Sequence, residues 1–236
     1  KFGRLELNLK KLIGICYATD ELMQDATALG SYITQAFTEE FAFKLDDAVI
    51  RGTGAGTPLG ILNAPATVSI SKETSQAART VKLANVNNMY SRLWVRSLGS
   101  SAWFINQDVF PQLELLTVDV KNVAGAENVG GTAVYVPAGG VANSPLSTLK
   151  GRPVIPVEHC ETLGTVGDII FADLSQYLTI QRDMQAASSL HVRFLYDEQV
   201  FRFVHRVDGQ PGWKAALTPY KGTNTVSPYI TLATRA

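Results

Sequence analysis

The sequence opens with an alternating strand that leads directly into a long amphipathic helix. Apolar residues lie at odd positions from the start: Leu5, Leu7, Leu9, Ile13, Ile15 and Tyr17. This period of two is typical of a half-buried strand. The apolar residues then recur every three or four positions, which is the spacing of one helix face: Leu22, Ala26, Leu29, Ile33, Phe37, Phe41, Leu45 and Ala48.

This second pattern predicts one helix over residues 20–51. Thr19 or Asp20 can cap its first turn, and Gly52 supplies its end. At a rise of 1.5 Å per residue, such a helix is about 45 Å long. A small domain cannot surround a helix of that length, so part of it must lie on the surface.

Composition excludes several classes of function. The 236 residues carry 21 basic and 21 acidic side chains, so a chain-wide electrostatic surface for nucleic acid or an anionic membrane is absent. Charged residues make up 18% of the chain, against about 25% in typical soluble domains. This favours a surface partly covered by other protein, with a large core as the alternative. No run of about 18 apolar residues is present to span a membrane.

The two cysteines and the first residues indicate a compartment and a processing state. Cys16 and Cys160 are far apart in sequence, so no disulfide framework is predicted, as expected in a reducing compartment. The chain starts with Lys1, in the middle of a strand pattern and without Met. We therefore expect a processed product or a trimmed chain with further residues upstream.

The remaining elements predict an α+β class, because strands and helices mix without regular alternation. Helices are predicted over 85–98 and 107–116, and a long loop over 117–150 that contains one strand at 132–136. Further strands are predicted at 102–106, 152–157, 168–172 and 176–181, followed by a hairpin of 190–196 with 199–207.

The glycine cluster after the helix resembles a phosphate-binding loop only superficially. Gly52, Gly54 and Gly56 follow a helix, whereas the dinucleotide pattern requires a preceding strand and a following helix N-terminus. A structural C-cap and turn is the favoured interpretation.

Other candidates for chemistry are equally weak. His159 and Cys160 could form a nucleophile or a metal pair, but neighbours on a strand point to opposite faces, and an ordinary half-buried strand is favoured. Asp168, Asp173 and Asp183 could form a carboxylate cluster; for Asp168 and Asp173, turn and strand-end roles are simpler.

Two sets of larger side chains are also better explained structurally. Arginines among aromatics on the late hairpin could stack nucleic acid, but nearby acids favour ion pairing, either between subunits or across strands: Arg193, Arg202 and Arg206. The tryptophans are expected to fill cores: Trp94, Trp103 and Trp213. We predict no enzyme, and no catalytic, cofactor-binding or metal-binding residue; no cofactor is expected.

Taken together, the residues resemble the major capsid proteins of tailed bacteriophages, which have the Hong Kong 97-type fold. The most specific stretch runs from Thr19 to Leu62 and combines the Thr-Asp-Glu-Leu cap, the long helix and the glycine-rich exit. Weaker stretches follow in the same order, and together they cover nearly all of the chain: Leu93 to Asn106, Leu149 to Cys160, Gly167 to Met184 and Phe201 to Gly212.

The resemblance implies a two-domain layout. Residues 1–81 and 178–207 would form a peripheral domain around the spine helix 20–51, and residues 82–177 and 208–236 an axial domain. The N-terminal arm and most of the extended loop of the family would be absent, with residues 1–15 as the end of that loop region.

The resemblance also implies function and partners. The chain would be a structural protein of the virion that self-assembles into pentamers and hexamers of an icosahedral capsid, formed in the cytoplasm of the bacterial host. It would enclose DNA without sequence-specific binding and without contact to a membrane. Scaffold, prohead protease, portal and decoration proteins are possible partners. The alternative is an encapsulin, the shell protein of a bacterial nanocompartment with the same fold.

Overall fold

The computed structural model describes residues 4–25, 28–121, 128–138 and 147–235. Its four α-helices are α1 (Asp20–Asp25), α2 (Leu29–Arg51), α3 (Leu83–Arg92) and α4 (Phe110–Glu114). Its strands are β1 (Lys10–Thr19), β2 (Val68–Ile70), β3 (Ala102–Ile105), β4 (Thr117–Lys121), β5 (Asn128–Ala133), β6 (Tyr135–Val136), β7 (Thr148–Leu149), β8 (Arg152–Pro156), β9 (Ile169–Ala172), β10 (Tyr177–Arg193), β11 (Glu198–Pro211) and β12 (Tyr229–Leu232). The predicted α+β class is confirmed.

The chain divides into two compact units. The first comprises Lys1–Asn63 and Leu178–Gly212, and it holds α1, α2 and a three-stranded sheet in the order β1-β11-β10. The second comprises Ala64–Tyr177 and Trp213–Ala236, and it holds α3, α4 and a seven-stranded sheet in the order β2-β12-β9-β3-β8-β7-β6.

These boundaries differ from the expected ones at two places. Residues 64–81 fall in the second unit, because β2 pairs in parallel with β12 and Val81 joins the core of that unit. Residues 208–212 fall in the first unit, because β11 continues to Pro211. The extra strand residues therefore decide both boundaries.

The long helix is shorter than predicted. It begins at Leu29, Ala28 is a turn residue, and residues 26 and 27 lie outside the described part of the chain. Gly30 lowers helix propensity at this point, and the Ser31 hydroxyl donates a hydrogen bond to the Ala28 carbonyl at 2.8 Å. With 23 residues, α2 is about 34 Å long rather than 45 Å. It ends at Arg51, with Gly52 as its C-cap, as expected.

The core of the first unit forms where α2 lies on β1 and β11. Ile33, Phe41 and Phe203 are buried there, and the Phe37 ring stacks on Phe203 at 4.5 Å between centroids. Gly14 of β1 makes this approach possible, because a Cβ at that position would lie 2.4 Å from Cε1 of Phe37. The helix thus covers one face of the sheet through a cluster of phenylalanines.

The second unit has a larger core of its own. Trp103 on β3 stacks on Phe171 of β9 at 4.0 Å, and its Nε1 donates to the Leu149 carbonyl at 3.1 Å. Tyr90 of α3 also stacks on Phe171, with 5.9 Å between ring centroids. Trp103 therefore fills a core as predicted, while Trp94 and Trp213 pack edge to face on each other at 4.9 Å.

A buried ion pair closes the second unit near the end of the chain. The Arg235 guanidinium donates to the Asp168 carboxylate, and both side chains are inaccessible to solvent. Arg235 also donates through Nε to the Thr80 carbonyl at 2.8 Å, and Asp168 accepts from the Gly164 amide at 2.9 Å. Burial raises the pKa of Asp168 above its ordinary value, and the hydrogen bond from Arg235 only partly opposes it.

Three predicted strand segments need correction. The first strand begins at Lys10 and not at residue 5, because β11 pairs only as far as Val207, opposite Lys10. The predicted strand at 176–181 is the start of the 17-residue β10, so the late hairpin is far longer than expected. Part of the predicted loop 117–150 forms the β4–β5 hairpin, while residues 122–127 and 139–146 lie outside the described residues.

Two predicted helices are also shorter in the structure. Residues 85–98 contain the end of α3 and a separate 3-10 turn at Val95–Ser97. The helix predicted at 107–116 is a 3-10 turn, Gln107–Val109, followed by α4. None of the helices in the described ranges is long and apolar enough to cross a membrane.

A larger residue at position 14 is expected to weaken the first unit. Gly14→Ala places a methyl group against Phe37, and overpacking of this kind costs about 1–3 kcal/mol in the free energy of unfolding. Urea denaturation measures the loss. Gly99→Ala is the matched control, because a Cβ at residue 99 meets no atom within 4 Å. Equal stability of the two variants would contradict close packing at Gly14.

Breaking the buried pair of Arg235 and Asp168 is expected to lower the free energy of unfolding more than Gly14→Ala does. Arg235→Met leaves the Asp168 carboxylate buried without its cation, which should lower the free energy of unfolding by about 3–5 kcal/mol at pH 7. Near pH 4 the loss should shrink, because a carboxyl with a raised pKa binds its proton more tightly when folded, so acid favours the folded state.

Thermal and urea unfolding at the two pH values provide the measurement for this ion pair. Lys44→Met is the control, since it removes the exposed pair with Glu40 (3.8 Å) and should cost less than about 1 kcal/mol. A pH-independent loss in Arg235→Met would argue against an uncompensated carboxylate.

Candidate assembly surfaces

The glycine-rich turn after α2 is a structural cap, as the sequence indicates. The Gly52 amide donates to the Ala48 carbonyl at 2.9 Å, and the Gly60 amide returns to the Gly52 carbonyl at 2.7 Å. A Cβ at Gly60 would lie 2.5 Å from the Gly52 nitrogen, so the two chain segments can pass only because residue 60 lacks a side chain. The turn presents carbonyl groups, which suit a cation better than a phosphate.

Lys10 supplies that cation. Its Nζ donates to the carbonyls of Gly54 (2.8 Å) and Thr57 (2.5 Å) and lies 3.3 Å from the Asp208 carboxylate. These contacts attach the turn to both β1 and β11. Sequence analysis missed this role because Lys10 has no partner within a few positions along the chain.

The cysteine and histidine candidates lie in a buried turn and not on a strand. Residues 158–160 follow β8 as a turn, because the Cys160 amide donates to the Val157 carbonyl at 3.1 Å. His159 and Cys160 are both buried, and Cys160 forms no disulfide. Among the described residues, no group of three or more His, Cys, Asp or Glu side chains could hold a metal ion.

The three aspartates do not form one cluster. Asp168 belongs to the ion pair with Arg235, and Asp183 lies on β10 in the first unit. Asp173 accepts from the Ser175 amide at 3.0 Å, as expected for a turn residue. Burial acts to raise the pKa of Asp173, but hydrogen bonds from neighbouring serine residues outweigh it and lower the pKa.

The arginines of the late hairpin separate into two roles. Arg193 pairs with Glu198 at 2.8 Å, and its guanidinium lies over the Tyr17 ring at 4.3 Å from the centroid. The hydrogen bond to Glu198 raises the pKa of Arg193 above its ordinary value. Ion pairing within the hairpin, which the sequence favoured for this set, is thus present at Arg193. Arg202 and Arg206 are exposed on β11.

An uncovered sheet face is the first candidate assembly surface of the structure. Leu12 and Cys16 of β1 pack towards α2, so the alternate side chains Ile13, Ile15 and Tyr17 point to the opposite face. They are 52%, 52% and 49% exposed. We call these three residues the uncovered face. Contiguous exposed apolar surface of this kind marks a protein contact.

The end of the late hairpin is a second apolar surface. Phe194, Leu195 and Tyr196 form a 3-10 turn between β10 and β11, and they are 77%, 92% and 72% exposed. We call these three residues the hairpin knob. The Asp20 amide donates to the Asp197 carbonyl at 3.0 Å, which fixes the knob beside the start of α1. Sequence analysis did not single out the knob, although the run Phe-Leu-Tyr at a hairpin end is a visible signal.

A basic cleft lies at the other end of the first unit. It has a volume of about 470 Å³, and its lining includes basic residues of β1 and of the second half of α2: Lys10, Lys11, Lys44 and Arg51. Asp47 is the acidic residue in its lining, and Leu12, Leu45 and Val207 make its apolar wall. We call this the basic cleft.

The structure is similar to solved shell proteins. The capsid of the native GTA particle has a TM-score of 0.70 and 17% identity, over 99% of this chain and 75% of that chain. The Mycobacterium phage Adephagia structure has a TM-score of 0.58 and 14% identity, over 96% of this chain and 72% of that chain. The holo-SrpI encapsulin complex from Synechococcus elongatus has a TM-score of 0.61 and 9% identity, over 95% of this chain and 73% of that chain. These likenesses confirm the expected Hong Kong 97-type fold.

Sequence comparison gives the family. Among curated proteins, none matches the chain significantly. The model described as the phage capsid family matches residues 1–222, which is nearly the whole sequence. The chain therefore belongs to the phage capsid family, and it is a structural subunit of a protein shell.

Proposed function

We propose that this chain is the major capsid protein of a tailed bacteriophage or an integrated prophage, and that it assembles in the host cytoplasm into pentamers and hexamers of an icosahedral shell. The observation that carries the proposal is the uncovered face of the first unit. A subunit that acted alone would expose Ile13, Ile15 and Tyr17 to water, whereas a shell subunit can place them against a neighbour.

The two units take different roles in this proposal. The first unit, with the helix α2 and the long hairpin, forms the peripheral domain of the subunit. The second unit, with the seven-stranded sheet and a self-sufficient core, forms the axial domain around the fivefold and sixfold positions. Their difference in burial supports the assignment, because the first unit needs neighbours to cover its sheet.

The shell encloses DNA without reading its sequence. The formal net charge of the chain is zero, which is suited to a wall that must release nucleic acid, since dense basic surfaces bind phosphates strongly. The chain acts as a structural protein and not as an enzyme. Scaffold, prohead protease, portal and decoration proteins are its proposed partners during assembly.

An encapsulin is the second candidate, favoured by the likeness to the SrpI encapsulin complex. The two candidates differ in content, because an encapsulin encloses a cargo protein and a capsid encloses DNA. Isolation of particles from the natural source, followed by nuclease digestion and mass spectrometry of the contents, separates them.

Assembly should depend on the uncovered face. Ile13→Asp/Ile15→Asp is expected to fold normally, because both side chains are half exposed, but to lose large particles at concentrations at which the wild type forms them. Light scattering and negative-stain electron microscopy measure assembly. The matched control is Ile13→Val/Ile15→Val, which keeps apolar β-branched residues and should assemble.

The outcomes separate clearly. A wild-type chain that remains monomeric at high concentration would count against the shell proposal itself. Normal particles from the Asp double variant would leave the shell proposal intact but would show that the uncovered face is not buried in the assembly.

A further inference from the structure

The two ends of the first unit differ in charge. Strand β1 pairs with β11 in antiparallel register, with Lys10 opposite Val207 at one end and Thr19 opposite Glu198 at the other. These ends lie about 30 Å apart, at roughly 3.4 Å per residue. The basic cleft is at the first end, and the hairpin knob is at the second.

The knob has an acidic rim. Strand register and the hydrogen bond from the Asp20 amide to the Asp197 carbonyl bring four acidic residues beside the knob: Asp20, Glu21, Asp197 and Glu198. Arg193 adds a positive charge to this group, and it is engaged with Glu198 at 2.8 Å. The rim therefore carries a net negative charge around three exposed apolar side chains.

The knob is held in a defined shape. The Arg193 guanidinium contacts the Tyr17 ring at 4.3 Å and the Tyr196 ring at 5.6 Å, and Asp197 ends the turn with a φ of +51°. A contact surface that is already ordered loses little conformational entropy on binding. Exposed aromatic residues fixed in this way are typical of the residues that dominate interfaces.

The basic cleft has the complementary properties. Its lining residues include four basic ones against the acidic Asp47, and an apolar wall that includes Leu12, Leu45 and Val207. Lys10 is committed to the glycine turn and to Asp208, so its position is fixed. Lys11 and Lys44 are exposed, and Lys44 also lies 3.8 Å from Glu40. At about 470 Å³, the cleft is within the range of pockets that hold side chains or small ligands.

We propose that the hairpin knob of one copy of this chain docks into the basic cleft of the next copy, head to tail. The inference rests on the proposed shell function and specifies one of its contacts. The apolar side chains Phe194 and Leu195 enter the cleft, and the acidic rim faces its basic residues. Opposite charge at the two surfaces favours the correct encounter and disfavours knob-to-knob or cleft-to-cleft pairs.

The geometry of such a contact fits a shell. A head-to-tail contact between two copies leaves one knob and one cleft unoccupied, so it continues into a ring or an open chain. Three apolar side chains bury far less than the 1,200–2,000 Å² of a stable interface, so one contact is weak by itself. Repetition through a ring makes weak contacts sufficient.

Charge exchange tests the proposal on the whole chain. The knob variant carries Glu21→Lys and Asp197→Lys, and the cleft variant carries Lys11→Glu and Lys44→Glu. Lys150 adopts the same positive φ as Asp197, so a lysine is tolerated in that backbone conformation. Each variant alone places like charges at the contact, and its association should fall about tenfold or more in sedimentation at low salt.

Combination of the exchanges gives the decisive result. A chain that carries both sets of substitutions restores opposite charges. An equimolar mixture of the two single variants does the same where the two variants alternate, because each contact between unlike variants joins opposite charges. Both should recover association. Glu114→Lys/Glu158→Lys is the control for the knob variant. It makes the same change of net charge at exposed sites of the second unit and should assemble as the wild type does.

Phe194→Ser/Leu195→Ser tests the apolar part separately. Both side chains are mostly exposed, so melting should not change, while association should fall. Normal association of this variant would overturn the proposal. So would single charge variants that assemble normally, or a combined variant that fails to recover while each single variant remains folded.

Other outcomes identify other occupants. If the cleft variant assembles but retains less nucleic acid after nuclease treatment, the basic cleft binds phosphates, and the proposal is wrong. A wild-type chain that never associates would overturn both this contact and the shell function, whereas normal particles with no effect of charge exchange would overturn this contact alone.

Discussion

Packing of one helix on one face of a three-stranded sheet is the constraint on which the first unit depends. Phe37, Phe41 and Phe203 fill the space between them, and Gly14 sets the distance because it has no side chain to hold the helix away. The helix can cover only one side of the sheet. The other side, with Ile13 and Ile15, therefore exposes apolar surface that a neighbouring molecule can bury.

The two units solve the problem of burial differently. The second unit stacks Trp103, Phe171 and Tyr90 in a core with helices packed on it, and the Arg235–Asp168 pair joins its two sequence segments. The first unit has a small phenylalanine cluster and a 17-residue edge strand whose side chains are mostly exposed. Such an edge strand is a hazard in an isolated protein, and assembly can protect it.

The sequence predicted best what local chemistry determines. The apolar stripe of α2, its end at Gly52 and the turn role of Asp173 all depend on residues a few positions apart. Prediction from the sequence failed where residues far apart in the chain determine the structure. Strand β10 is 17 residues long because β11 pairs beside it, although its own sequence, from Tyr177 to Arg193, has weak alternation. The roles of Lys10 and Arg235 depend on contacts with residues far away in the sequence.

The net charge of the chain likewise does not predict where the charged candidate surfaces lie. Equal numbers of basic and acidic residues exclude a chain-wide polyanion site, but they do not show how charge is distributed. Lys10 and Lys11 lie at the start of β1, and Asp20 and Glu21 directly follow its end, so ten strand residues convert a neutral composition into a separation of charge. In the proposed contact identical copies meet through unlike ends, so a neutral subunit of this kind can attract its neighbours in one orientation and repel them in the reverse one.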